Sequence, residues 1–233
     1  KAGLSAFRVV VKETDLHIQA DRPLEAAARE SILRHRDILE NFIHLNPAFA
    51  ETLVPWPGEG PRPLLIDEMI RAGRLAGVGP MAAVAGAIAA AVGDDLLKHS
   101  REVVVENGGD LFIKTREPLT VGIYAALPAP GTKIGLRAGG GDSPLAICTS
   151  SGTIGHSLSF GKADAVSVIS ASCALADAAA TAIGNRVGGG ADIQNAIDWG
   201  RHIQGIQGIV ILTGGKMGAW GGVELVSLSG KSG

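Results

Sequence analysis

The stretch Cys148–Asn185, CTSSGTIGHSLSFGKADAVSVISASCALADAAATAIGN, decides the fold. It starts at the end of an apolar run, LAICTSS, passes through glycines and hydroxyls, and returns as ADAVSVIS. From Cys173 to about Val187 it is rich in alanine. Short β-branched runs bounded by small polar residues predict two strands, and the alanine periodicity predicts a helix. Outward from here the same signals recur. FRVVVKET and LHIQA predict a strand pair, and a helix follows from about Pro23 to His44. NPAFAETLVPWPGEGPRP, at 46–63, is proline-rich and predicts a surface loop or a subunit contact. LLIDEMIRAGRLA predicts a short helix, and GVGPMAAVAGAIAAAVGDDLLKH a buried helix of small side chains able to lie close to a sheet or a ligand.

REVVVENGGDLFIKT predicts strand, turn, strand, with Asn107-Gly108 as the turn signal. LTVGIYAAL and KIGLRAG add strands, ADIQNAIDWGRHIQ a helix, and GIVILTGG with VELVSLSG a closing strand pair. Strands and helices do not alternate strictly. The order disfavours a wound parallel sheet and predicts an α+β protein with antiparallel sheets. A rhythm of strand pair, helices, strand pair occurs twice, within one domain at 1–233 or two intimately packed halves.

Composition narrows the function. The 233 residues are 46% hydrophobic but only 4% aromatic, with 33 glycines, which predicts a core of small aliphatic side chains in close contact. A formal net charge of −2 gives no electrostatic footprint for nucleic acid. The longest apolar run, Met81–Gly93, is too short to span a bilayer, and no signal-peptide pattern opens the sequence, so no membrane partner is expected. Cys148 and Cys173 make neither a disulfide framework nor a zinc ligand set, and a reducing cytoplasmic location with both thiols buried is the simplest reading.

Three clusters carry chemistry. Asp177 and Thr181 are four apart on a predicted helix, so they rise from one face, where a carboxylate and a hydroxyl can share Mg²⁺. The alternative is structural, with the acid favouring the helix dipole and the hydroxyl bonded back to a carbonyl. Thr149, Ser150, Ser151 and Gly152, followed by His156, place hydroxyls and bare backbone where phosphate oxygens could be held. No G-x-S-x-G elbow accompanies His156, which disfavours a serine hydrolase. Gly108, Gly109 and Asp110 form either a tight turn or a close backbone approach to a diphosphate or ring.

In order, GVGPMAAVAGAIA, VENGGDL, TSSG, HSLSFG and LADAAATA match the glycine-led helix, V-N-A-G-G-D-I, T-S-G, H-x-x-D-P-x-T-G and A-D-A-L-A-T-A segments of the ApbE-like superfamily. The sequence resembles that superfamily, FAD-dependent protein FMN transferases and their relatives, from about Gly77 to Asn185. The resemblance implies a duplicated T-fold-like architecture with helices packed on one face of antiparallel sheets. It implies FAD or FMN as a cofactor or substrate, Mg²⁺ at Asp177 and Thr181, Gly108 and Gly109 against the nucleotide, and His156 by the reacting phosphate. In the transferases FMN passes to a hydroxyl of a target protein, which implies a protein substrate beside the nucleotide-like ligand. Ser159 and Phe160 stand where the superfamily has Asp-Pro, Glu106 and Asn107 where the turn has Asn-Ala, and the lysine of the glycine-led helix is absent. Two other ligand classes fit the residues: a purine or pterin in the same pocket, or a second copy of the chain, with Trp56 and Trp220 as contacts in a homo-oligomer.

Overall fold

The computed structural model describes residues 3–123, 133–152 and 161–228. An eight-stranded antiparallel sheet runs in the order β1 (Ser5–Val11), β2 (Thr14–Ala20), β3 (Val103–Asn107), β4 (Asp110–Lys114), β7 (Leu145–Ser150), β8 (Ala165–Ser170), β9 (Ile206–Thr213), β10 (Lys216–Gly221). A three-stranded sheet in the order β11 (Glu224–Leu228), β6 (Lys133–Gly139), β5 (Pro118–Ile123) is also antiparallel. The helices are α1 (Glu25–Leu45), α2 (Ala48–Glu51), α3 (Leu64–Ala76), α4 (Val84–Leu96), α5 (Cys173–Gly184) and α6 (Ile193–Gly200). The fold is α+β, as the element order predicts.

Strand alternation builds two cores. Val9, Leu16, Ile18, Val103, Val105, Phe112, Cys148, Val168 and Ile211 point to one face and pack with the helices. Val104, Ile113, Ile147, Ile169 and Leu212 point to the other and meet Ile123, Leu136 and Ala138 of the small sheet. All helices therefore lie on one face. The repeated rhythm is present in the sheet order, where β1–β4 and β7–β10 are two adjoining blocks of four strands. Among the described residues no single helix is long and apolar enough to cross a membrane.

One sequence expectation is corrected here. GIVILTGG and VELVSLSG do not pair: β9 lies between β8 and β10, and β11 joins β6 in the other sheet. The missed strand, β10, has too many glycines to show alternation. The segment at 46–63 is largely exposed, as a surface loop should be, and is anchored by Phe49, which is fully buried with its ring edge-on to Phe42 at 4.9 Å and to Trp56 at 5.4 Å. Trp56 and Trp220 are each half-buried, with one side packed against the helix-side core.

Asp95 ties α1 to α4. Its carboxylate accepts from Ser31 Oγ at 2.6 Å, His35 Nε2 at 3.0 Å, Lys98 Nζ at 2.8 Å and the Arg34 guanidinium. Burial alone would push this carboxyl up, but these donors hold it well below the usual carboxylate range. A depressed native pKa stabilises above the unfolded value and loses that stabilisation as pH falls through it. Asp95→Ala is therefore expected to cost about 2 kcal/mol at pH 7 and much less only at about pH 1.5, since most of the stabilisation survives at about pH 3. Urea midpoints of both proteins at pH 7 and at about pH 1.5 check this, and equal losses at both would remove the electrostatic account.

Candidate functional site

The site forms at one end of the large sheet. Asn107 pairs with Asp110, so the two-residue turn of this hairpin is Gly108-Gly109 and not Asn107-Gly108. Both glycines have positive φ, 64° and 119°, conformations that side chains disfavour. Asn107 instead donates from Nδ2 to the Ala85 carbonyl at 3.0 Å, which fixes the start of α4 beside the turn. Gly109 packs against the Thr149 carbonyl on β7, which brings the second cluster to the same place.

The period of two splits that second cluster. Ser150 shares the helix-side face with Cys148, and its hydroxyl is buried with no hydrogen-bond partner among the described residues. Thr149 and Ser151 face the other way, and Thr149 Oγ1 lies 2.8 Å from Ser167 Oγ. The Gly152 N–H donates to the Ala163 carbonyl at 2.9 Å. His156 lies outside the described residues, as do the Ser159 and Phe160 departures.

Asp177 approaches from α5. Its helix is capped by its own Ser172, whose Oγ accepts from the Leu175 N–H at 3.3 Å. The Asp177 carboxylate accepts instead from the Gly86 N–H of α4 at 2.9 Å. The structural alternative raised by the sequence thus takes a different form, in which the acid caps a neighbouring helix. Gly86 permits this closeness, since a Cβ there would collide with the Cys173 carbonyl and sit 2.9 Å from Asp177 Cβ. Thr181 follows one turn along the same face of α5, half-buried.

Asp110 is 8% exposed and directly opposite Cys148 in the sheet. Burial pushes its carboxyl up to about 7, against the pull of the Cys148 thiol and the Thr149 peptide N–H. Burial likewise holds Asp177 well above the ordinary range, and the negative charge on Asp110 adds to it, while the N–H groups of Gly86 and Ala85 oppose. No basic side chain among the described residues pairs with either acid. Cys148 and Cys173 lie beneath them, both buried and with Sγ atoms 3.7 Å apart, and burial drives the Cys148 thiol up as well. These thiols belong to the packing, as expected.

Two uncompensated acids, a buried hydroxyl without a partner and a second hydroxyl one turn along α5 make an oxygen-rich donor set, which suits a hard divalent cation. Among the described residues no three His, Cys, Asp or Glu side chains form a complete cage. That also fits Mg²⁺, which takes one or two carboxylates and completes its shell from water and phosphate. On the opposite side of the turn a cavity of about 1070 Å³ runs along β1–β3, bordered by Gly108, Gly109, Thr149 and Ser151 at one end and by β5 along its length. The residues singled out by sequence thus meet at one sheet end but on two faces, acids on the helix side and glycines with Thr149 and Ser151 on the cavity side. Sequence missed the part played by Gly86. Its signal was the small-residue run, which announced close packing without naming the partner.

Comparison with known proteins agrees with this architecture. A UPF0280 protein of Methanosarcina acetivorans is 40% identical over 220 residues, covering 93% of this chain and 87% of that protein. One from Methanocaldococcus jannaschii is 38% identical over 226 residues, covering 94% and 92%. Among solved structures, a variant of the flavin transferase ApbE from Vibrio cholerae superposes with a TM-score of 0.60 at 14% identity, covering 94% of this chain and 97% of that one. The apo flavinyl transferase ApbE of Pseudomonas stutzeri gives 0.58 at 14%, covering 93% of each. At that identity the likeness establishes the fold. The model of the family described as AbpE bacteria matches residues 1–219, and the chain belongs to that ApbE-like family.

Proposed function

We propose that this protein binds a flavin nucleotide or a closely related phosphorylated ligand together with Mg²⁺, and that it transfers or hydrolyses the nucleotide at its diphosphate. The observation that carries this reading is the uncompensated acid pair of buried Asp110 and half-buried Asp177, set against a glycine turn that borders a cavity of nucleotide size. Asp177, Thr181 and Asp110 would hold the cation, with Ser150 offering its free hydroxyl. Bound there, Mg²⁺ supplies neutralisation of diphosphate charge. Gly108 and Gly109 present backbone with no side chain in the way, and nothing lies within 4 Å of the position a Gly108 Cβ would take. The flavin transferases named among the structural relatives support the ligand class.

Isothermal titration of FAD, FMN and ADP into the purified protein, with Mg²⁺ and then with EDTA, tests the reading. FAD is expected to bind in Mg²⁺ and to weaken at least about tenfold in EDTA, since uncompensated acids would then face the phosphates. Equal affinities in Mg²⁺ and EDTA would remove the cation, and no binding of any of the three would remove the nucleotide.

A further inference from the structure

Cys148 and Cys173 are the two cysteines of this sequence, and the fold brings their Sγ atoms to 3.7 Å across 25 residues of chain. The two are held differently. Cys148 sits within the large sheet, paired with Asp110 of β4 on one side and Val168 of β8 on the other, so its strand is fixed on both edges. Cys173 opens α5 directly after the extended residue Ser172, and its Sγ lies 3.4 Å from the Leu111 carbonyl of β4. The Cys148 Sγ lies 3.4 Å from the Cys173 carbonyl. That carbonyl is also the atom a Cβ on Gly86 would strike, so α4 backs the start of α5 against the sheet and holds the two sulfurs together.

A disulfide needs a separation of about 2.05 Å, which leaves a gap of about 1.6 Å for χ1 rotations at the two residues to close. The hydrogen bonds given up are weak, because a thiol is a poor donor. Burial leaves each thiol a single partner. Cys148 is 0% exposed and Cys173 3%, so neither reaches a thiol of another molecule, and a bulky disulfide reagent reaches neither. A molecule little larger than water gains access in the local openings that all folded chains undergo.

We infer that Cys148 and Cys173 form a modification site, which a small hydroperoxide closes to a reversible disulfide that latches α5 to β7. One sulfur attacks the peroxide, the O–O bond breaks, and the products are a sulfenic acid and, from hydrogen peroxide, one water. The second sulfur then attacks the first. The S–S bond forms, and the hydroxyl leaves with the second thiol's proton as another water. Two electrons pass from the sulfur pair to the peroxide, and the protein loses two hydrogens. The latch lies beside the acid pair, since Cys148 is opposite Asp110 and Cys173 is one turn before Asp177 on the same face of α5. This inference stands on the sulfur geometry and does not rest on the nucleotide reading.

The test treats the reduced protein with hydrogen peroxide and maps its peptides without reduction. The peptides carrying Cys148 and Cys173 are expected to be joined, two hydrogens lighter than their sum, and to separate with both thiols restored in dithiothreitol. Met217, 49% exposed, is expected to become the sulfoxide in the same sample and shows that the oxidant acted. Closing a loop of this length is expected to raise the melting temperature by about 5–10 °C, a rise that dithiothreitol reverses and that Cys173→Ser lacks. The reversal is read on the wild-type chain and holds even where the serine variant fails to fold. Two free thiols beside oxidised Met217, or a sulfinic acid on either cysteine with no joined peptide, would overturn the site. A joined pair that melts no higher than the reduced protein, or a rise that Cys173→Ser retains, would overturn the latch. FAD titration reports separately on the nucleotide reading.

Discussion

Asp177→Asn is expected to abolish the Mg²⁺ dependence of nucleotide binding and, in EDTA at pH 7.5, to raise the melting temperature. Both effects follow from one cause. In the wild-type protein, burial and the charge on Asp110 hold the Asp177 carboxyl well above its ordinary range. An acid that keeps its proton longer in the folded than in the unfolded state makes stability fall as pH rises above about 4, the unfolded value. Asp110 extends that fall to about 7. Asparagine is isosteric and still accepts from the Gly86 N–H through its carbonyl oxygen, so it keeps the α4 contact while removing the charge. The expected rise is about 3–6 °C for a chain of this size, and the expected loss of affinity for the Mg²⁺ complex of FAD is about hundredfold. Melting curves at pH 5 and 8, with Mg²⁺ and with EDTA, together with calorimetric titration, read both. A variant that melts lower and still binds in a Mg²⁺-dependent manner would make Asp177 a cap for α4 and nothing more.

Gly86→Val is expected to be among the most damaging substitutions in the chain. The Cβ would meet the Cys173 carbonyl, a backbone atom at the start of α5 that cannot rotate away, and the Asp177 Cβ at 2.9 Å. The two helices must separate, and with them the donor N–H and the carboxylate it holds. Overpacking of this kind costs about 3 kcal/mol, or roughly 6–12 °C in melting temperature. Gly108→Ala, at a position with open space but a φ of 64°, should cost only about 1 kcal/mol, so a parallel thermal scan separates steric collision from backbone strain. Equal losses at the two positions would show that the α4–α5 approach is not the tight contact described.

Much of the fold was legible because its signals are local. β-branched alternation in FRVVVKET and REVVVEN marks strands, and the apolar stripe of 23–44 marks α1 to within two residues. The two closing strands were legible as strands but their pairing was not, since a strand's partner depends on the whole sheet: β11 pairs with β6 about ninety residues earlier, and nothing in VELVSL states that. The burial of Phe49 within 46–63 escaped for a related reason. Proline density reports backbone irregularity, whereas the burial of Phe49 depends on Phe42 and Trp56 being there to receive it.

At the site, the sequence by itself determined the residue types and their local geometry. It supplied the Gly-Gly turn, the four-residue spacing of Asp177 and Thr181, and the alternation that turns Ser150 away from Thr149 and Ser151. Only the tertiary structure decided which of them act together. Asp110 and Asp177 are 67 residues apart in the chain, and what sets them apart from ordinary surface acids is that one is buried and the other half-buried, close together and without a counter-charge among the described residues. Burial and electrostatic coupling are properties of the assembled environment, set by how closely α4, α5 and the sheet approach, and no short-range pattern encodes them.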